Sequence, residues 1–330
     1  MLWFWLVFPA INELRKKGSQ DSDLRESLKL FCIFVNKLPE ILNMNKFSIT
    51  LKHLLIFLVV CFCQYSFCDA QTYSHKFRVI AFFSEKKDPA HISFDHEANQ
   101  WFPKIAAKYH FTYDSSNDWN NLNTTFLSKY DVVIFLDTRP DSLAQRLAFQ
   151  KYMERGGAWM GFHFAAFALT PSEYPQNWDW YHETFLGAGQ YISNTWRPTS
   201  AILRVEDRIH PITKGLPERF KSAPNEWYLW ENDLRRNPSI KILLSIDSSS
   251  YPLGTGPKLY EIWHSGYYPV AWTNINYKMV YFNMGHNDMD YEHKFDSANR
   301  TLSSTFASEM QNRLIINALL WLGSKGKNRM

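Results

Sequence analysis

Three polar side chains in this sequence, His163, Glu226 and His286, are of the types that move protons or hold metal ions. His163 directly follows the apolar run 158–162, and His286 follows the apolar run 279–284 and one glycine. A neutral imidazole can act as a base or as a metal ligand, and two histidines with one carboxylate suit a divalent metal ion. No compact motif such as His-Glu-x-x-His joins these residues. The sequence therefore predicts one site only if three distant segments converge.

The histidines also have structural interpretations. His163 could simply pack the turn that follows its strand. His210 stands before Pro211, and a residue in that position avoids helical backbone, so we expect His210 to fix a turn rather than to act in catalysis. The roles of base, metal ligand and packing residue for His163 therefore stay open at this level.

Short apolar runs that are bounded by turn residues predict the strands that would position these side chains. The first three runs are each followed by a segment of helical length, which is typical of a parallel sheet with helices on both faces. Apolar residues recur at helical spacing over 96–109 and 142–155, and a last helix is predicted over 304–322. The predicted strands are 77–83, 131–136, 158–162, 199–206 and 240–246, with a closing pair at 269–273 and 279–284.

Ligands of open parallel sheets bind outside the carboxyl ends of the strands. Glu85 follows the first predicted strand, Asp137 follows the run 131–136, and His163 and His286 follow two later strands. We therefore expect Glu85 and Asp137 to contact a substrate at the same edge of the sheet.

The amino-terminal region divides into two segments before a single domain at 71–330. Residues 44–70 resemble a signal peptide, with Lys46 and Lys52 before an apolar stretch and a small-x-small cleavage site at 68–70. The protein is therefore expected to be exported to the periplasm or the extracellular space. An uncleaved anchor fits less well, because the apolar run is shorter than the roughly 20 residues that span a bilayer. Residues 1–43 are interpreted as an upstream extension or as the result of a start wrongly assigned to Met1 instead of Met44.

Composition excludes several classes of protein. The chain is 45% hydrophobic, so it is not intrinsically disordered. Its formal net charge is only +4, which does not indicate a nucleic-acid-binding protein. Its four cysteines, Cys32, Cys61, Cys63 and Cys68, all precede the predicted domain. The domain therefore has no thiolate for nucleophilic catalysis or metal binding.

Several motifs occur in order along the domain. Residues 156–166 read Gly-Gly-Ala-Trp-Met-Gly-Phe-His-Phe-Ala-Ala, a strand that leads into a sharp turn like a nucleophile elbow. His-Pro-Ile-Thr-Lys-Gly-Leu follows at 210–216 and Asn-Glu-Trp-Tyr at 225–228. Pro-Val-Ala-Trp-Thr at 269–273 precedes a strand ending in Gly-His at 279–286. Together these segments resemble the trehalose-utilisation (ThuA-like) family.

This resemblance implies an open parallel sheet with helices on both faces, of the flavodoxin-like or class I glutamine amidotransferase-like kind. In the amidotransferases the elbow presents a cysteine, whereas here it presents His163, so glutamine amidotransferase activity is not expected. The sequence departs from the family pattern at Ala158, Phe164, Asn225 and 276–278. The asparagine at 225, where aspartate is frequent, puts one potential ligand in doubt.

The resemblance further implies a small carbohydrate as partner and an enzyme that acts on a disaccharide or a 3-keto sugar glycoside by hydrolysis, elimination or isomerisation. The residues expected to act are His163, Glu226 and His286, either in catalysis or as ligands of a divalent metal ion. Trp180 and Trp227 are expected to line the cleft and stack on the sugar. The alternative is a non-catalytic sugar-binding or sensory domain, in which the same groups bind sugar hydroxyls. The sequence indicates no oligomeric state.

Overall fold

The computed structural model describes residues 76–86, 88–169, 178–195, 197–250, 268–287 and 302–324. The predicted upstream segment 1–43 and signal peptide 44–70 lie outside these residues. No helix within the described ranges is both long and apolar enough to cross a lipid bilayer.

Within the described residues, nine strands form one sheet in the order β2-β1-β3-β4-β11-β10-β9-β6-β7, and β5 and β8 form a separate pair. The strands are β1 Arg78–Phe82, β2 Thr112–Ser116, β3 Val132–Phe135, β4 Ala158–Phe162, β5 Tyr191–Asn194, β6 Ile202–Val205, β7 Arg219–Lys221, β8 Tyr228–Trp230, β9 Ile240–Ile246, β10 Tyr268–Asn274 and β11 Tyr277–Phe282. The helices are α1 Pro89–Tyr109, α2 Thr124–Leu127, α3 Leu143–Glu154 and α4 Glu309–Gly323.

The half of the sheet that contains β2, β1, β3, β4 and β11 is parallel. Every residue of β3 and β4 is buried, as expected for parallel strands that are covered on both faces. The predicted fold class is thus confirmed. The structure adds an antiparallel half, in which β10, β9, β6 and β7 follow one another across the sheet.

Alternate side chains of each strand enter cores on opposite faces of the sheet. Val132 and Ile134 pack in a core with Phe102 of α1, whereas Val133 and Phe135 pack in a second core with Phe149 of α3. This period of two is the geometry of an extended strand. The helices therefore cover both faces, as predicted.

Helix α1 begins seven residues before the predicted start at 96. Asp88 is its N-cap and accepts a hydrogen bond from the Ala90 amide at 2.8 Å, and Pro89 occupies the first turn. Both residues are typical helix-start signals. The earlier start brings His91 into the first turn of α1, directly after β1.

Strand β2 was not predicted from the sequence. Its residues Thr112–Ser116 are mostly polar and half-exposed or exposed, because β2 is an edge strand of the sheet. An edge strand lacks the apolar run that identifies buried strands.

Candidate functional site

His163 occupies the sharp turn at the carboxyl end of β4. Its φ angle is +42°, in the left-handed region that residues with a Cβ rarely adopt. The turn is held by the Tyr281 hydroxyl, which donates a hydrogen bond of 2.7 Å to the His163 carbonyl. The His163 side chain is fully buried. Backbone strain that surrounding packing holds in place is common at functional sites.

Glu226 and His286 come from two loops that their own backbones tie together. The Glu226 amide donates to the His286 carbonyl at 2.8 Å, and the Gly285 amide donates to Oδ1 of Asn225 at 3.3 Å. Asn225, whose identity put one potential ligand in doubt, thus serves as a structural acceptor. These bonds fix Glu226 beside His286, although 60 residues separate the two loops.

The carboxylate of Glu226 lies between two imidazoles. Its Oε2 is 3.2 Å from Nε2 of His163 and 3.0 Å from Nδ1 of His286. Its Oε1 accepts a hydrogen bond of 2.6 Å from Nδ2 of Asn194, at the end of β5. The three residues named from the sequence therefore lie in direct contact.

His91 is a fourth member of this cluster that sequence reasoning missed. Nitrogen atoms of His91, His163 and His286 all lie within 4.8 Å of one another. Nδ1 of His91 is 3.5 Å from Oδ2 of Asp137, and Oδ1 of Asp137 accepts a hydrogen bond of 3.1 Å from the Phe164 amide. The sequence signal for His91 was Asp-Pro immediately after a strand, which marks a helix start at the carboxyl edge of the sheet.

The sheet order explains this convergence. Strands β1, β3, β4 and β11 are consecutive neighbours and are parallel, so their carboxyl ends lie along one edge. His91 follows β1, Asp137 follows β3, His163 follows β4 and His286 follows β11. Four adjacent strand ends thus deliver the three imidazoles and one carboxylate.

Burial and mutual contact set the protonation of the cluster. Burial lowers the pKa of His163 to about 4 and that of His91 to about 3. Burial alone would raise the pKa of Glu226, but the adjacent His286 and His163 hold it below the ordinary range. Burial raises the pKa of Asp137 well above its ordinary value. At neutral pH the imidazoles of His163 and His91 are therefore neutral, and the Glu226 carboxylate is ionised.

Tyr228 contacts the cluster and also lines a neighbouring cavity. The ring of Tyr228 lies 3.9 Å from the His163 ring, centroid to centroid. Tyr228 also lines a cavity of about 300 Å³, which residues 228–235 form together with Tyr268 and Pro269. This volume is at the lower end of the range for small-molecule sites.

The other residues predicted to bind substrate lie in different places. Asp137 contacts the cluster through His91. Glu85 instead faces His96, with Oε1 at 3.0 Å from its Nε2, and accepts a hydrogen bond of 3.4 Å from Asn117. It has no contact with the histidine cluster among the interactions of the described residues.

The two tryptophans do not line a cleft at this edge, contrary to the sequence-based expectation. Trp227 is fully buried in the core and donates through Nε1 to the Thr199 carbonyl at 2.9 Å. Trp180 donates to the Tyr277 hydroxyl at 3.2 Å and stacks on Phe185. Tyr277 begins β11, so Trp180 lies at the opposite edge from His163. Trp227 is thus a core residue, and half-buried Trp180 packs against the core at that opposite edge.

Comparison with known proteins gives one family. The model of the ThuA family, described as trehalose utilisation, matches residues 79–297. A ThuA-like protein of Bacteroides uniformis is 33% identical, with a TM-score of 0.65 over 76% of this chain and 93% of that one. A ThuA-like protein of Parabacteroides merdae is 18% identical, with a TM-score of 0.47 over 74% and 90%. The glutaminase domain of Trypanosoma brucei CTPS is 9% identical, with a TM-score of 0.42 over 76% and 95%. Among curated proteins, none matches the sequence.

Proposed function

Because the chain belongs to the ThuA (trehalose utilisation) family, we propose that it is a carbohydrate-utilisation enzyme that acts on a disaccharide or a 3-keto sugar glycoside. The reaction would be a hydrolysis, an elimination or an isomerisation. The observation that carries this proposal is the contact of Glu226 with both His163 and His286 at the carboxyl edge of the sheet.

The chemistry of the cluster suits proton transfer beside a carbonyl group. A neutral imidazole accepts a proton, and an ionised carboxylate in contact with it stabilises the imidazolium that results. Such a relay can remove a proton from a sugar carbon or hydroxyl next to an oxidised position. No cysteine occurs in 71–330, so we expect no glutaminase activity.

Access to the cluster favours the side of His91. The side chain of His91 is 13% exposed, whereas that of His163 is fully buried. A substrate would therefore contact His91 directly, and His163 would act through the cluster. This assignment adds His91 to the residues that the sequence predicted to act, His163, Glu226 and His286.

A sugar-binding domain without catalysis is the alternative. The cavity beside Tyr228 supports it, because its lining includes the aromatic residues Tyr228, Trp230 and Tyr268, and aromatic rings stack on sugar faces. In that case the protein would bind sugars and convert none.

The test incubates the full-length protein with a panel of disaccharides and their 3-keto derivatives and follows products by mass spectrometry. We expect at least one sugar to be converted, and His286→Ala to lower its turnover about 100-fold or more. The matched control is His110→Asn, which removes an exposed histidine at the opposite edge, where asparagine tolerates the left-handed backbone (φ +62°). Binding without conversion of any sugar would favour the alternative.

We also propose that the protein is exported and that its mature form begins at Gln71, from the signal-like order of residues 44–70. Amino-terminal sequencing of the protein from its native cells tests this proposal. A mature chain that retains residues 1–43 would contradict both the cleavage and the start at Met44.

A further inference from the structure

The three histidines of the cluster also lie close to one another. One ring nitrogen from each of His91, His163 and His286 lies within 4.8 Å of the other two. The nitrogens around a tetrahedral Zn²⁺ ion, each about 2 Å from the metal, are separated by roughly 3.3 Å. Small rotations of the three side chains would therefore bring the nitrogens to bonding distance of one ion.

A carboxyl group lies beside each of the three imidazoles. Glu226 contacts His163 and His286, and Asp137 faces His91. In metalloproteins a ligating histidine commonly donates its second ring N–H to a carboxylate, which fixes the tautomer and the orientation of the ring. Each imidazole here lies beside a carboxyl group, and each has a second nitrogen that can point to a shared ion.

The two ring nitrogens of His163 differ in their surroundings. Nε2 of His163 faces Glu226, whereas its Nδ1 is buried without a hydrogen-bond partner among the described residues. A buried polar atom that lacks a partner is costly unless water or an ion satisfies it. Nδ1 of His163 is thus suited to bind a metal ion.

We propose that His91, His163 and His286 form a site for one divalent transition-metal ion of the Zn²⁺ type, held in orientation by Glu226 and Asp137. Three imidazoles favour zinc, iron, nickel or copper over magnesium or calcium, which prefer oxygen ligands. Three imidazoles would leave one position of a tetrahedral site for a water molecule or a sugar oxygen. The site differs from the set expected from the sequence, because His91 takes the place of Glu226 as the third ligand.

The role of this site in catalysis rests on the proposed function, whereas metal binding itself does not. When bound, such an ion would polarise a carbonyl or hydroxyl oxygen of the sugar. The imidazoles would then hold the ion instead of accepting the proton, and Glu226 would fix two of them in place.

Metal binding is tested on the full-length protein after removal of metal with a chelator. Titration with Co²⁺, followed by its visible absorption, and competition with Zn²⁺ should show one equivalent bound in a low-coordinate site. We expect His91→Ala and His91→Asn to weaken binding at least 100-fold, and Glu226→Gln to weaken it about 10–100-fold. The control His96→Ala, which removes the next histidine of α1, should bind as the wild type does.

Two results would overturn the site. One is a wild-type protein that binds less than stoichiometric Co²⁺ and Zn²⁺. The other is a His91→Asn variant with native circular dichroism and undiminished affinity. The proposed function fails separately, if the metal-loaded protein converts no sugar. Conversely, sugar conversion at the same rate before and after metal removal would leave the proposed function standing and refute a catalytic role for the ion.

Discussion

Oε2 of Glu226 lies 3.2 Å from Nε2 of His163, in a contact where both side chains are almost completely buried. The two residues are 63 positions apart and belong to different loops at the carboxyl edge of the sheet. A buried carboxylate stays ionised only where its neighbours stabilise the charge, and for Glu226 the adjacent His286 and His163 do so. The charge of Glu226 and the orientation of the histidines are therefore mutually dependent.

Replacing Glu226 by glutamine tests this dependence. The variant Glu226→Gln keeps the size of the side chain and one acceptor oxygen but loses the negative charge, so the histidines lose the charged acceptor that they share. We expect turnover of the sugar substrate to fall about 100-fold, with little change in the circular dichroism spectrum. The control Glu218→Gln removes an exposed carboxylate that pairs with Arg208 on the surface and should retain full activity. Equal loss of activity in both variants would contradict the role of Glu226.

The N-cap of α1 is expected to control both stability and the site. Asp88→Ala removes the acceptor of the Ala90 amide, so we expect the free energy of unfolding to fall by about 1 kcal/mol in urea titrations at pH 7. Because His91 lies in the same turn, activity should fall as well. Asp88→Asn restores the cap and should recover most of the stability.

Ser142→Ala provides the matched control for this effect. Ser142 caps α3 and forms a capping box with Gln145, and α3 carries no residue of the cluster. We expect a similar loss of stability and unchanged turnover. If Asp88→Ala behaved in the same way, the cap of α1 would have no part in positioning His91.

The buried carboxyl of Asp95 predicts a pH dependence of stability. Burial raises its pKa from the ordinary value of 3.8 to about 8. Between these values the unfolded chain has released the proton that the folded chain still holds. The contribution of Asp95 to the free energy of unfolding therefore declines as pH rises from about 4 to 8, and is constant outside this window.

Asp95→Asn should remove this decline, because the asparagine side chain does not titrate. We expect the variant to be more stable than the wild type at pH 7, by about 1–3 kcal/mol. Urea titrations at pH 5, 6, 7 and 8 measure the slope, and Asp114→Asn, which replaces an exposed carboxylate, serves as control. An identical slope in Asp95→Asn and the wild type would show that Asp95 does not retain its proton.

We expect a glycine at position 285 to be required for both stability and activity. Its φ angle is +133°, and an added Cβ would lie 3.3 Å from the Phe94 ring and 3.4 Å from Cβ of His163. We therefore expect Gly285→Ala to cost about 1–3 kcal/mol and to lower activity by moving His286. Gly215→Ala, also at positive φ but with only the Arg313 side chain nearby, should lose stability and keep activity. Full activity of the Gly285→Ala variant would refute the prediction that an added Cβ at this position displaces His286.

The sequence by itself determined the buried strands of the parallel half of the fold, whereas the polar edge strand β2 was not predicted. Strands such as β3 and β4 are buried on both faces, so their residues must be almost uniformly apolar. Such apolar runs can be recognised in the sequence without a structure. The rule that ligands meet the carboxyl ends of parallel strands then singled out Asp137 and His163. The motifs at 210–216 and 269–273 identified the family, because they occur in order along the chain.

Tertiary structure decided which side chains meet. His91 joins the cluster because β1 lies two strands from β4, and strand order is set by packing between distant segments. Glu226 reaches His286 through a backbone hydrogen bond between two loops, which no local spacing encodes. Trp227 shows the converse case, since an indole suits both a sugar cleft and a core, and only the packing of the folded chain around it decides between them. Local residue patterns specify elements, whereas the convergence of side chains on one site depends on contacts between segments far apart in the chain.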